Sequence, residues 1–92
     1  MSKITKKDVR RIERKIIRTM YSQNKWGSNH MLTKNLESGF PKHEIKKVKV
    51  VIMELIKEGI LVVKPTLHGK AVSLNSKKKE KIDEVRDRNA IF

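Results

Sequence analysis

The sequence predicts a mainly helical α+β domain in which three helices and a two-stranded hairpin share one core and a further helix follows at the C-terminal end. Three observations carry this. Apolar residues recur at helical spacing over residues 5–22 and again over 41–58. Two β-branched-rich segments, Ile60 to Lys64 and Ala71 to Asn75, flank a connection containing proline and glycine. Helical character then returns over residues 76–88. A chain of 92 residues suffices for one core rather than two, so residues 1–92 are read as a single domain.

In the first helix Ile4, Val9, Ile12, Ile16 and Met20, with Ile17 and Tyr21 beside them, form an apolar stripe at spacings of three to five. Lys6, Lys7, Arg10, Arg11, Arg14, Lys15 and Arg18 fill the rest of its surface. Ser22, Gln23, Asn24 and Gly27 break the pattern, and the segment through His30 reads as a loop holding Trp26. Leu32, Leu36 and Phe40 resume helical spacing, which predicts a short second helix over 31–38 closed by a left-handed Gly39. Pro41 suits the first turn of a third helix because its missing N–H would have no partner there, and Gly59 marks the far end.

On this third helix Ile45, Val48, Val51, Ile52, Leu55 and Ile56 fall on one face. Lys42, His43, Lys46, Lys47, Val50, Met53, Glu54 and Lys57 fall on the other. The two strands are joined by residues 65–70, giving a hairpin with a basic tip. In the last helix Ser76 is placed as the N-cap, Ile82 and Val85 as the apolar pair, and Glu84 four residues before Arg88 as an ion pair.

The charge is large and unevenly placed. Lysine and arginine total 23 against 10 acidic residues, a formal charge of +13 that points to a polyanionic partner. Residues 1–27 carry 9 basic and 2 acidic side chains, and residues 60–79 carry 5 basic and none acidic. The stretch between them is far closer to balance. Cysteine is absent, which excludes disulfides and thiolate metal sites and fits a cytoplasmic setting. The longest apolar runs, Val50 to Met53 and Ile60 to Val63, are far short of the roughly 20 residues that span a bilayer, so no membrane partner is expected.

The predicted order, helix, short helix, helix, hairpin, resembles the winged helix-turn-helix superfamily over about residues 8–76. The segments Lys25-Trp26-Gly27, Asn35-Leu36, Gly39-Phe40-Pro41-Lys42-His43, Glu54 to Gly59, Lys64-Pro65-Thr66 and Val72-Ser73-Leu74-Asn75 look like small archaeal winged-helix proteins of unassigned role. That resemblance implies DNA binding in an archaeal cytoplasm, as a regulator or a chromatin-like, nucleoid-associated protein. The third helix and the wing would be its contact elements.

In a helix-turn-helix the second helix of the motif enters the major groove. The candidate DNA-binding residues are therefore Lys34, Lys42, His43, Lys46, Lys47 and Val50, with Thr66, His68 and Lys70 on the wing and Arg10 and Arg14 reaching from the first helix. Val50 is placed against a thymine methyl. The third helix has no Arg, Asn or Gln, the residues that make bidentate base contacts, so low sequence specificity is expected. Trp26 is assigned to the core or to anchoring its loop, because four aromatic residues offer no paired stacking platform. The spacing of His30, His43 and His68 matches no metal-ligand motif.

No phosphate-binding glycine loop or paired nucleophile and base appears, so neither an enzyme, a cofactor nor a small-molecule substrate is expected. Double-stranded DNA is the leading partner. An RNA- or ribosome-associated role and a protein-interaction module using Val50 and Met53 are the alternatives. A homodimer stays open, since Ile82, Val85, Ile91 and Phe92 can either pair with a second copy or fold back.

Overall fold

The computed structural model describes residues 4–87. Within them the chain is α+β and mainly helical, with a three-stranded antiparallel sheet. Helix α1, Lys6–Ser22, starts at Thr5, whose hydroxyl accepts the Asp8 N–H at 3.1 Å. Asp8 also sets a negative charge against the positive end of the helix dipole. The apolar stripe delivers Ile12, Ile16, Ile17 and Met20 to the core. Asn24 takes a left-handed φ of 57°, and Lys25 donates its N–H back to the Met20 carbonyl at 2.9 Å, which closes the helix.

The next segment departs from expectation. Met31 and Leu32, predicted to open the second helix, instead form strand β1, opposite Val72 and Ala71 of a later strand. That pairing takes the place of a first helical turn, and α2 shrinks to Thr33–Glu37. Gly39 is not left-handed either; φ is positive only at Asn24, Gly27, Gly59 and Gly69 among the described residues. The end of α2 is closed by tight backbone bonds, Gly39 N–H to Leu36 O at 3.2 Å and Phe40 N–H to Glu37 O at 3.0 Å, which any residue can make. Pro41 sits just outside the following helix in extended conformation, ahead of a 3-10 turn at Lys42–Glu44 that leads into α3, Ile45–Lys57.

Gly59 ends α3 as predicted, with φ 78°. Its N–H reaches Ile56 O, and the Ile60 N–H reaches Leu55 O, both at 3.0 Å, which turns Ile60 into the core. Strands β2, Leu61–Thr66, and β3, Gly69–Leu74, pair from Leu61 opposite Leu74 to Thr66 opposite Gly69. The ladder is longer than predicted and the loop shorter: Pro65, Thr66, Gly69 and Lys70 belong to the strands, leaving Leu67-His68 as the tip. Pro65 is compatible with a strand because the order β1-β3-β2 puts β2 at an edge.

Asn75, not Ser76, caps the turn after β3. Its Oδ1 accepts the Lys77 N–H at 3.1 Å and its Nδ2 donates to Gly59 O at 2.8 Å, tying the start of the last helix to the end of α3. This 3-10 turn, Ser76–Lys78, leads into α4, Lys79–Asp87. Ile82 and Val85 are buried, the Tyr21 hydroxyl donates to Asp83 Oδ1 at 2.8 Å, and the Arg86 guanidinium lies 4.3 Å from the Tyr21 ring centre. Over these residues α4 folds back on α1. Arg88, proposed as the partner of Glu84, and Ile91 and Phe92 lie outside the described residues; Glu84 instead stands 3.6 Å from Lys81.

Trp26 packs half-buried against the core, edge-on to Tyr21 with ring centres 5.4 Å apart. Its backbone bridges to Leu74. Loop, first helix and sheet are thereby held together at one corner.

Candidate nucleic-acid interface

The basic residues fall into those that bind the protein to itself and those that face outward. Where α1 crosses the start of α3, Lys47 Nζ lies 3.0 Å from Asp8 Oδ2. Beside them Arg11 clamps both Glu44 oxygens, with Nη1 to Oε1 at 3.2 Å, and also reaches Asp8 at 3.4 Å. The bond from Lys47 holds the Asp8 carboxyl below its ordinary pKa, and Arg11 does the same for Glu44, while the Glu44 carboxylate in turn raises Arg11. Lys15 donates to the Gly39 carbonyl and lies 4.6 Å from the Phe40 ring centre. Lys47, placed on the outward face from the sequence, is thus committed to Asp8.

The outward strip of α3 consists of Lys46, Lys49, Val50, Met53, Glu54 and Lys57, all exposed, with Lys42 and His43 exposed on the turn before it. Val50 and Met53 are 46% and 64% exposed, high for residues that a folded chain usually hides. Between this strip, α2 and the hairpin lies a groove of about 370 Å³. Leu32, Ile52 and Ile56 contribute apolar lining, and Lys34, Lys49, His68, Lys70 and the single carboxylate Glu37 also border it. The structure therefore brings Lys34, His68 and Lys70 around one feature and adds Lys49, which the sequence reading left out.

Lys49 was missed for a geometric reason. On a helix it shares the flank of Ile45 and Ile56, which reads as core, but both isoleucines are only partly buried, and Lys49 and Ile56 border the groove. At the hairpin tip the Thr66 hydroxyl is occupied internally: it donates to Gly69 O at 2.6 Å and accepts the His68 N–H at 3.2 Å. The residue it leaves outermost is Leu67, 101% exposed and also absent from the sequence reading. Its signal was a large apolar residue where a turn ordinarily has a polar one or glycine.

Arg10 and Arg14 do not join this surface. Asp8, Arg11 and Lys15 mark the side of α1 that meets the start of α3 and the turn before it. Arg10 and Arg14 share instead the stripe of Tyr21, the side that packs on α4. Arg14 is half-buried there, and its Nε is buried without a hydrogen-bond partner among the described residues.

His30 and His68 line a second groove with Lys25 and Asn35, while His43 is on the turn before α3. Among the described residues no group of three or more His, Asp or Glu side chains is arranged to hold a metal ion. Likewise, no helix among them is long and apolar enough to cross a membrane.

No protein-family model, curated protein or solved structure matches this chain. A functional reading therefore rests on the geometry and charge of the surface itself.

Proposed function

We propose that this chain is a winged helix-turn-helix module that binds double-stranded DNA with little sequence preference. The observation that carries the reading is the exposed strip Lys46, Lys49, Val50, Met53 and Lys57 on α3, flanked by Lys34 on α2 and by Lys70 and His68 on the hairpin. Helix α3 has 13 residues, about 20 Å of helix, and its outer face fits a major groove about 12 Å wide. Lys42 and His43 stand at the end of α3 that leads in a helix-turn-helix complex, and in this reading the hairpin meets the backbone beside it.

Lysine supplies charge without the planar fork that reads a base pair, so the contacts favour phosphates. This supports a nucleoid-associated architectural protein over an operator-reading regulator. Titration against random duplex, single-stranded DNA and structured RNA at several salt concentrations, read by fluorescence anisotropy, tests the proposal. Steeply salt-dependent preference for the duplex is the expected result. Equal or tighter binding to RNA overturns it, because the narrow A-form major groove excludes α3.

A second reading, a protein-docking face, is favoured by the exposure of Val50 and Met53 above an apolar groove. It requires that binding survive removal of Lys46 and Lys49.

A further inference from the structure

Leu67 is the most exposed large apolar side chain described, and it occupies the outermost point of the hairpin. A fully solvated leucine gains nothing from folding, yet its placement is tightly defined. The loop holds only Leu67 and His68. Thr66 bonds to both sides of that loop, and Gly69 comes next at φ 118°, a conformation that glycine adopts readily. Neither loop residue has a positive φ, so the turn is of the type that ends on glycine at its fourth position. Flexibility does not explain the leucine.

The surroundings indicate what it meets. The chain has no carboxylate from residue 60 to 79, and Lys64, His68 and Lys70 lie within three residues of Leu67. An apolar point between two lysines, in a stretch free of carboxylates, suits a polyanion that has an apolar interior. Duplex DNA is such a partner: its base stack is the apolar part, reached through the minor groove. From the buried Ala71, opposite Lys64, the hairpin runs three residues to Leu67. At about 3.3 Å per residue this is about 10 Å, enough to cross a minor groove about 7.5 Å deep. The ribbon itself is too broad for a groove about 6 Å wide, so this reach is used only where the groove is opened, as it is when a wedge kinks the duplex toward the major groove.

We propose that Leu67 is an apolar wedge that enters the minor groove beside the α3 site, partly unstacks one base step and kinks the duplex, which makes the protein a DNA-bending one. The inference rests on the duplex-binding reading above. The wedge costs unstacking energy, which the extra contact between bent DNA and the basic hairpin offsets. The bend is then concentrated at one step.

The test uses the full chain and a short duplex carrying a donor and an acceptor dye at its ends. Wild type is expected to raise energy transfer on binding. Leu67→Ser is expected to bind with a similar salt dependence and leave energy transfer near that of free DNA. Leu67→Phe, still an apolar wedge, is expected to keep the bend. A central mismatch lowers the cost of unstacking, so wild type is expected to prefer mismatched over paired duplex roughly tenfold, and the serine variant to lose that preference. Because Leu67 makes no core contact, all three proteins are expected to melt together. Binding without a rise in energy transfer, or a serine variant that bends as wild type does, overturns the wedge and leaves duplex binding standing. No duplex binding by any of the three overturns both. Loss of binding to anionic phosphatidylglycerol vesicles on Leu67→Ser, with DNA unbent, overturns the wedge in favour of a membrane contact.

Discussion

Replacing Lys46 and Lys49 together by glutamine removes two cations from the proposed interface without touching an internal ion pair. Six lysines face the proposed duplex on α2, the turn before α3, α3 itself and the hairpin: Lys34, Lys42, Lys46, Lys49, Lys57 and Lys70. If each neutralises one phosphate, log K is expected to fall against log salt with a slope of about −5.4, and the double variant with about −3.6. Between 50 and 200 mM salt that is roughly a two-thousandfold loss of affinity for wild type and roughly 150-fold for the variant. Lys47→Gln is the internal control, because its ammonium lies 3.0 Å from Asp8. It is expected to lower the melting temperature and leave the slope at about −5.4. Anisotropy titrations at four or more salt concentrations give the slopes, and circular dichroism gives the melting curves. A double variant with the wild-type slope, or a Lys47→Gln slope as shallow as one for Lys49→Gln, refutes the division of cations drawn from the structure.

Leu55, fully buried on α3, is expected to cost about 2–5 kcal/mol when truncated to alanine, read as a lower urea midpoint in unfolding followed by the fluorescence of Trp26. Gly59→Ala is expected to cost about 1–2 kcal/mol from its left-handed φ of 78° alone, since a Cβ there meets only Lys78 Cε at an ordinary 3.6 Å. The Asp8, Glu44 and Asp83 carboxyls are held low by Lys47, Arg11 and Lys79 respectively, so their contribution to stability is complete above their ordinary pKa near 4. It is lost as pH falls through the lowered folded values; urea midpoints are expected to drop below about pH 4, and less steeply in an Asp8→Asn, Glu44→Gln variant.

The long periodic elements were legible in the sequence because burial imposes its period on many residues at once. Helix α1 and helix α3 up to Gly59 fall within a residue or so of expectation, apart from the 3-10 turn that opens the third helix. Strand β1 was not legible, because two residues cannot display an alternating pattern and Met31-Leu32 fits a helix equally well. Only the pairing with Val72 and Ala71, some forty positions along the chain, decides its conformation. The cap exchange between Ser76 and Asn75 has a similar origin. Either side chain can cap, and the bond from Asn75 to Gly59 O selects the one that also ties two elements together. The extent of the hairpin came from a glycine placed in the ladder rather than in the loop.

For the candidate interface, the sequence supplied the sign of the charge but not its direction. Residues 1–27 hold the densest block of cations, and that density suggested a first helix reaching DNA. The structure divides the block. Arg11 and Lys15 face the start of α3 and the segment before it, where Glu44 and the Gly39 carbonyl engage them, and Arg11 also reaches Asp8 on its own helix. Arg10 and Arg14 lie on the α4 side, and the end of that flank is held by the contacts of Tyr21 with Asp83 and Arg86. A duplex seated on α3 is therefore approached by neither group. The fixed orientation of α1 also explains why Lys47 turns inward: Asp8, placed in the first turn of α1 by the Thr5 cap and the helix dipole, lies within reach of the first turn of α3. One carboxylate serves the helix start and the crossing of two helices at once. The cations that remain outward are those beyond the reach of Asp8 and Glu44, and this, rather than their density in the sequence, selects the lysines of the proposed interface.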